Sequence, residues 1–273
     1  KNCPIMSFPS AKVFDENKYD PVSEELAAKM NKAITICQFK AEGQRIMTHP
    51  EYNMHNRMLL DKINWEDGTI EIKDTVYELR DKNFPTVDPA DPYKFTPEEE
   101  TFLNTLEASF LQSEKLQRHI KFLYSHGALY SICNGNLMYH GCLPMTEDGA
   151  FEGVTINGKM HRGKALMDYI DDQVRKAYFT PSKSEEIGRS GDLMWYLWLG
   201  SKSPLFGKDQ MTTFERCFIT DKATHKEYTV PYYKLIEEKA ICEKILEEFG
   251  LDPETSHILN GHVPVKVKDG KSP

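Results

Sequence analysis

The sequence predicts an α/β chain in a layered α+β arrangement, with amphipathic helices flanking short strands. Three observations predict it. Apolar residues recur at three- to four-residue intervals over long stretches, as in helices buried along one face. Asn-Gly and Asp-Gly pairs separate short apolar runs, where tight hairpins need left-handed turn residues. Two short apolar strands each end in a histidine beside a glycine, at His140-Gly141 and at Gly261-His262.

Composition narrows the functional classes. A chain of 273 residues can build one large domain or two modest ones with a sizeable core. With 40% apolar and 28% charged residues it reads as an ordinary soluble globular protein. No run of apolar residues is long enough for a membrane span, and the start at Lys1-Asn2-Cys3-Pro4 lacks a signal-peptide core. A net charge of −8 leaves no basic surplus for neutralising nucleic-acid phosphates. Cys3, Cys37, Cys133, Cys142, Cys217 and Cys242 show no Cys-x-x-Cys spacing. They read as reduced, buried thiols of a cytoplasmic protein rather than as a zinc site.

The elements follow in order. Residues 1–20 read as loop or the tail of an earlier element. A helix is expected from Ser23, with acids in its first turn, to about Thr48, where His49-Pro50 breaks it. His49 and His55 are expected at the surface. Glu66-Asp67-Gly68 turns into a strand at 69–72, and 75–79 is a further strand. Residues 81–93 carry Pro85, Pro89 and Pro92 and read as loop. Thr96-Pro97 followed by three glutamates is a helix start, and that helix runs with one break to about 124. A hairpin is expected around Asn157-Gly158, a helix over 165–179, a strand over 214–219, and a helix over 235–249 closed by Gly250. The run 194–199 is the most apolar and is expected in the core.

The organising stretch is 130–144. Asn134-Gly135 joins two apolar runs as a hairpin, and the second run ends at His140-Gly141. Near the other end of the chain, 256–264 repeats the pattern, a short apolar strand ending at Gly261-His262 with Pro264 two residues on. Alone, either histidine reads as a strand cap. As a pair they can converge at one sheet edge, where imidazole suits a transition metal. His126 reads as a loop histidine at the hairpin mouth. Glu147, Asp148 and Asp192 are carboxylates that no spacing singles out. The loop 200–209 offers two lysines, two serines and two glycines, the composition of an anion site.

The segments Met138–Pro144 and Asn260–Pro264 resemble the two C-terminal histidine motifs of the calcineurin-like metallophosphatases. With 78–88, 115–124 and the run Trp198–Arg216, nearly the whole chain resembles the class III, Firmicutes-type fructose-1,6-bisphosphatases. The resemblance implies part of a calcineurin-like β-sandwich with flanking helices. Residues 1–124 would be a mainly helical accessory region, and 125–273 the C-terminal part of the metallophosphatase domain. It implies a binuclear site, usually Mn2+, with His140 and His262 on the same metal. It also implies Lys202, Lys208 or Arg216 on a substrate phosphate. The chemistry implied is attack of a metal-activated hydroxide on the 1-phosphate of fructose 1,6-bisphosphate, a gluconeogenic step.

The family's Asp-x-His, Gly-Asp-x-x-Asp and Gly-Asn-His motifs do not occur in this sequence. The chain is therefore expected to be an internal or C-terminal portion of a longer phosphatase, supplying half a metal site and little activity alone. No catalytic residue is assigned within it. The expected partners are a sugar bisphosphate and other copies in a homo-oligomer, with neither nucleic acid nor membrane. The rival readings are a non-catalytic regulatory or interaction fragment, and a protein phosphatase of the same fold.

Overall fold

The computed structural model of the chain describes residues 23–180 and 185–262. Among them helices and small sheets alternate, an α+β architecture, in two compact units. The first unit holds the described residues of 1–113 and 212–226; the second holds those of 114–211 and 227–273. The segment 212–226 thus returns to the first unit rather than staying with the residues that flank it.

In the first unit, α1 (Glu24–Thr48) starts at Ser23, whose hydroxyl accepts from the Leu26 N–H at 3.2 Å. It ends at His49, as the following proline requires. The antiparallel sheet β1 (Ile63–Asn64), β2 (Thr69–Ile72) and β3 (Thr75–Glu78) follows, with Ile63 opposite Ile70 and Thr69 opposite Glu78. The core gathers Ile36 and Phe39 of α1, Ile70 of β2, Phe84, Phe214 and Phe218.

Three expectations need correction here. The run 214–219 forms not a strand but the helix α6 (Thr213–Phe218). Its Phe214 and Phe218, four positions apart, share one helical face and pack on Phe39 at 5.4 and 6.3 Å between ring centroids. That packing overrides the extended preference of the aromatic residues. Only Ile219 keeps strand character, bridging Leu79. His49 is buried, not at the surface. Its Nδ1 lies 2.9 Å from the Glu51 carboxylate, and the imidazole stacks on Tyr52. Cys133 is exposed, whereas Cys37, Cys142 and Cys217 are buried and Cys242 is half-buried. Cys3 lies outside the described residues.

Helix α2 (Pro97–Gln112) carries the expected start in full. Thr96 Oγ1 accepts from the Glu99 N–H at 3.2 Å, and Glu99 Oε2 accepts from the Thr96 N–H at 2.9 Å. Glu99 also takes the ammonium of the fully buried Lys40 at 2.7 Å, so one carboxylate both caps α2 and ties it to α1.

In the second unit, α3 (Glu114–His126) leads into the hairpin β4 (Tyr130–Cys133) and β5 (Asn136–Tyr139). Asn134 and Gly135 take φ of 50° and 75°, the left-handed pair the turn demands. A second hairpin, β6 (Val154–Ile156) with β7 (Lys159–His161), turns in the same way at Asn157-Gly158. Then come α4 (Gly163–Phe179) and α5 (Glu185–Leu199), the latter containing the apolar run 194–199. The helix expected at 235–249 is split into α7 (Tyr232–Leu235) and α8 (Lys239–Glu248), and Gly250 follows with φ of 73°. Strand β8 (Ile258–Asn260) returns to pair with β5 in parallel. Leu137, Tyr139, Leu143, Tyr232, Leu246 and Phe249 belong to its core. Among the described residues no helix is long and apolar enough to cross a membrane.

The Lys40–Glu99 pair gives a direct test. Burial alone raises the Glu99 carboxyl, but the Lys40 ammonium and hydrogen bonds from Thr86 and Thr96 outweigh it, so the net shift is downward. A depressed carboxyl contributes its full stability above its ordinary range and loses it as pH falls through the folded value. Lys40→Met strands a buried charge and should cost about 3–5 kcal/mol in urea unfolding at neutral pH. It should also weaken the acid-side loss of stability. A cost below about 1 kcal/mol would contradict this role for the pair.

Candidate functional site

The site begins with strand pairing. In the parallel β5–β8 ladder Leu137 faces Ile258, Met138 faces Leu259 and Tyr139 faces Asn260. The next positions are therefore His140 and Gly261, and the Gly261 N–H donates to the His140 carbonyl at 2.9 Å. His262 follows with φ of 66°, a left-handed conformation that swings its ring back. His140 Nε2 and His262 Nδ1 end 3.0 Å apart, with the rings at 81°. The two sequence-predicted histidines, 122 positions apart, are thus brought together.

Without a metal this is an imidazole–imidazole hydrogen bond, one ring donating and the other accepting. The spacing also fits a shared ion. Two nitrogens each about 2.0–2.1 Å from one ion, at right-angled to tetrahedral geometry, lie roughly 2.8–3.4 Å apart. Both rings are exposed. Among the described residues no group of three or more His, Cys, Asp or Glu side chains is placed to hold a metal. Among the described residues the pair thus offers two imidazole nitrogens with no third such side chain beside them.

The turn after His140 is held from behind by the loop 200–209. The Cys142 N–H donates to the Pro204 carbonyl at 2.9 Å, and that same oxygen would lie 2.5 Å from a Cβ added to Gly141. Ser203 is buried. Its hydroxyl donates to the Leu197 carbonyl at 2.6 Å and accepts from the Leu205 N–H at 3.1 Å. The composition that suggests an anion site is thus spent largely on internal turns and on buttressing 140–142. Burial pushes the Cys142 thiol up to about 12, which keeps it neutral and unsuited to metal two residues from His140. Beneath it the Tyr139 and Tyr232 hydroxyls meet at 2.6 Å within the core.

The three candidate phosphate contacts do not behave alike. Lys208 lines the same cavity of about 780 Å3 as His140 and His262, with its ammonium 2.8 Å from Glu227. Lys202 is paired with Glu152 at 2.7 Å and is not among the cavity-lining residues. Arg216 belongs to the first unit, on α6, where it donates to Thr212 Oγ1 at 3.0 Å and to the His225 carbonyl at 2.8 Å. His126 ends α3, stacks on Phe122 and does not line the cavity. Neither Glu147, Asp148 nor Asp192 lines it either.

One pair was missed in the sequence. Asp171 and Arg175, one helical turn apart on α4, both line the cavity. The Arg175 guanidinium also donates to the Tyr124 and Gly127 carbonyls at the end of α3. That anchors the chain just before the hairpin that carries His140. An acid followed four residues later by an arginine was the available signal, but it is shared by many solvated helix faces.

Comparison with known proteins identifies a family. The family described as Firmicute fructose-1,6-bisphosphatase matches residues 1–273. A protein of Clostridium tetani named fructose-1,6-bisphosphatase class 3 is 51% identical over 275 residues, covering 100% of this chain and 41% of the relative. One of Alkaliphilus metalliredigens with the same name is 54% identical over 251 residues, covering 91% of this chain and 38% of the relative. One of Clostridioides difficile is 51% identical over 250 residues, covering 92% and 38%. The chain thus spans about two fifths of the length of these curated relatives. No solved structure matches it significantly.

The buttress can be tested apart from any activity. Gly141→Ala places a methyl against the Pro204 carbonyl, a backbone atom that cannot step aside alone. It should cost about 1–3 kcal/mol in urea unfolding, in the range for overpacking. A variant as stable as wild type would mean that the loop does not brace this turn.

Proposed function

The chain belongs to the Firmicute fructose-1,6-bisphosphatase family, and from that premise we propose that it is the part of a fructose-1,6-bisphosphatase that carries two ligands of its metal site. The observation that carries the proposal is the 3.0 Å approach of His140 Nε2 to His262 Nδ1 at the ends of paired strands. The reaction is hydrolysis of the 1-phosphate of fructose 1,6-bisphosphate to fructose 6-phosphate, a gluconeogenic, cytoplasmic step. The names of the relatives support that substrate.

On this reading residues 125–273 contribute to a calcineurin-like metallophosphatase domain, and β4, β5 and β8 form part of its sandwich. Residues 1–124 form the accessory region. His140 and His262 hold one ion of a Mn2+ pair, and the remaining ligands come from family motifs that these 273 residues do not contain. A bound divalent pair supplies Lewis-acid neutralisation of the phosphoryl group and acidifies water. The protein's own task here is orientation: strand register and the buttressing loop hold two imidazoles ready for an ion. Of the three candidates Lys208 is the best placed for substrate, since it alone of them shares the cavity with the histidines, though it too must leave its partner Glu227. Lys202 and Arg216 serve a phosphate only after leaving their present partners. A homo-oligomer remains part of the proposal. No observation favours a protein phosphatase or a non-catalytic fragment.

Phosphate release from fructose 1,6-bisphosphate in Mn2+ tests the reading. The isolated 273-residue chain should show little or no turnover. A longer protein that includes the absent motifs should be active, and His140→Ala or His262→Ala in it should lower turnover by about 100-fold or more, at least what loss of a supporting contact costs. Clear Mn2+-dependent turnover by the isolated chain, or full activity without either histidine, would sink it.

A further inference from the structure

Strand pairing by itself does not bring the two rings together. Register sets residue 140 opposite 261, so His262 lies one position beyond its natural partner. Its approach requires the left-handed backbone at φ of 66°. A non-glycine residue persists in that region only where its surroundings over-determine it. Two contacts do so. One is the backbone hydrogen bond from Gly261 to the His140 carbonyl at 2.9 Å. The other comes from a side chain: Asn260 Nδ2 donates to the Gly141 carbonyl at 3.0 Å. Gly141 in turn is fixed against Pro204. The Asn260 amide therefore ties the residue before Gly261-His262 to the residue after His140, spanning the histidine pair.

We propose that Asn260 is a positioning residue for the His140–His262 pair: its side-chain amide, by holding the Gly141 carbonyl, clamps the two turns so that the imidazole nitrogens meet. The choice of residue follows from chemistry. Leucine has nearly the same shape but no donor, and aspartate would turn an acceptor toward the carbonyl. Asn260 is exposed, so its side chain adds nothing to the core and its loss spares global stability. The consequence for metal binding rests on the metal-site reading above; the consequence for ring proximity does not.

The test uses the 273-residue chain labelled with 15N-histidine, without metal, and then titrated with Cu2+ as a probe of paired imidazoles. In the wild type the imidazole proton shared across 3.0 Å should give a hydrogen-bonded signal in 15N–1H spectra. Asn260→Leu should lose that signal and bind Cu2+ about 10- to 100-fold more weakly, the usual effect of removing a contact that orients a ligand. Its thermal melt should match the wild type. Asn260→Ser, too short to reach Gly141, should behave in the same way and stands in if the leucine variant melts early. Retention of the imidazole signal and of Cu2+ affinity in both variants overturns the proposal, as does absence of the signal in the wild type. If Cu2+ binding is the same in wild type and His140→Ala, the metal-site reading fails instead. The imidazole signal then decides alone: its loss in the Asn260 variants upholds the clamp and its persistence overturns it.

Discussion

A three-residue parallel ladder carries the candidate site. Parallel strands cannot be joined by a tight turn and need a long crossover. Here everything between Tyr139 and Ile258 serves as that connection, including α4, α5, α7 and α8. The ladder must also keep its register, because a slip of one residue would send each side chain to the opposite face. Leu137, fully buried in β5, fixes the register from the core side. Tyr139 fixes it by meeting Tyr232 across the hydrophobic cluster. His140 is thus the first residue beyond a strand that has no freedom to slide.

Several charged side chains in this molecule are committed to architecture. Lys40 and Glu99 join α1 to the capped start of α2. Arg57 grips Glu215 with both arms of its fork at 2.7 Å, fixing α6. Arg80 donates to the Arg216 carbonyl at the end of the same helix. Arg175 does similar work at the end of α3. The few polar groups that face the cavity beside the histidines are therefore more telling than the number of basic residues in the sequence.

Much of this is legible in the sequence. Asn134-Gly135 and Asn157-Gly158 announced their hairpins because few residue pairs tolerate two left-handed positions. Thr96-Pro97 with Glu99 announced α2 because the capping groups lie within four residues of sequence. The convergence of His140 and His262 was readable from two similar strand ends. What failed depends on distant packing. The aromatic run at 214–219 became helical because Phe39, far earlier in the chain, offers a surface for one helical face. His49 looked like a surface breaker because its burial against Tyr52 arises only when the chain turns past Pro50. The loop 200–209 looked like an anion cradle because its serines and glycines are the same ones a tight structural loop requires.

The most direct measurement is an anomalous-difference map from crystals of the protein grown with Mn2+. The expected result is a single peak bonded to both His140 Nε2 and His262 Nδ1, with β5 and β8 in the register described. A peak bonded to other side chains, or a map in which the two imidazoles face apart with no ion between them, would contradict the assignment of this pair as one metal's ligands.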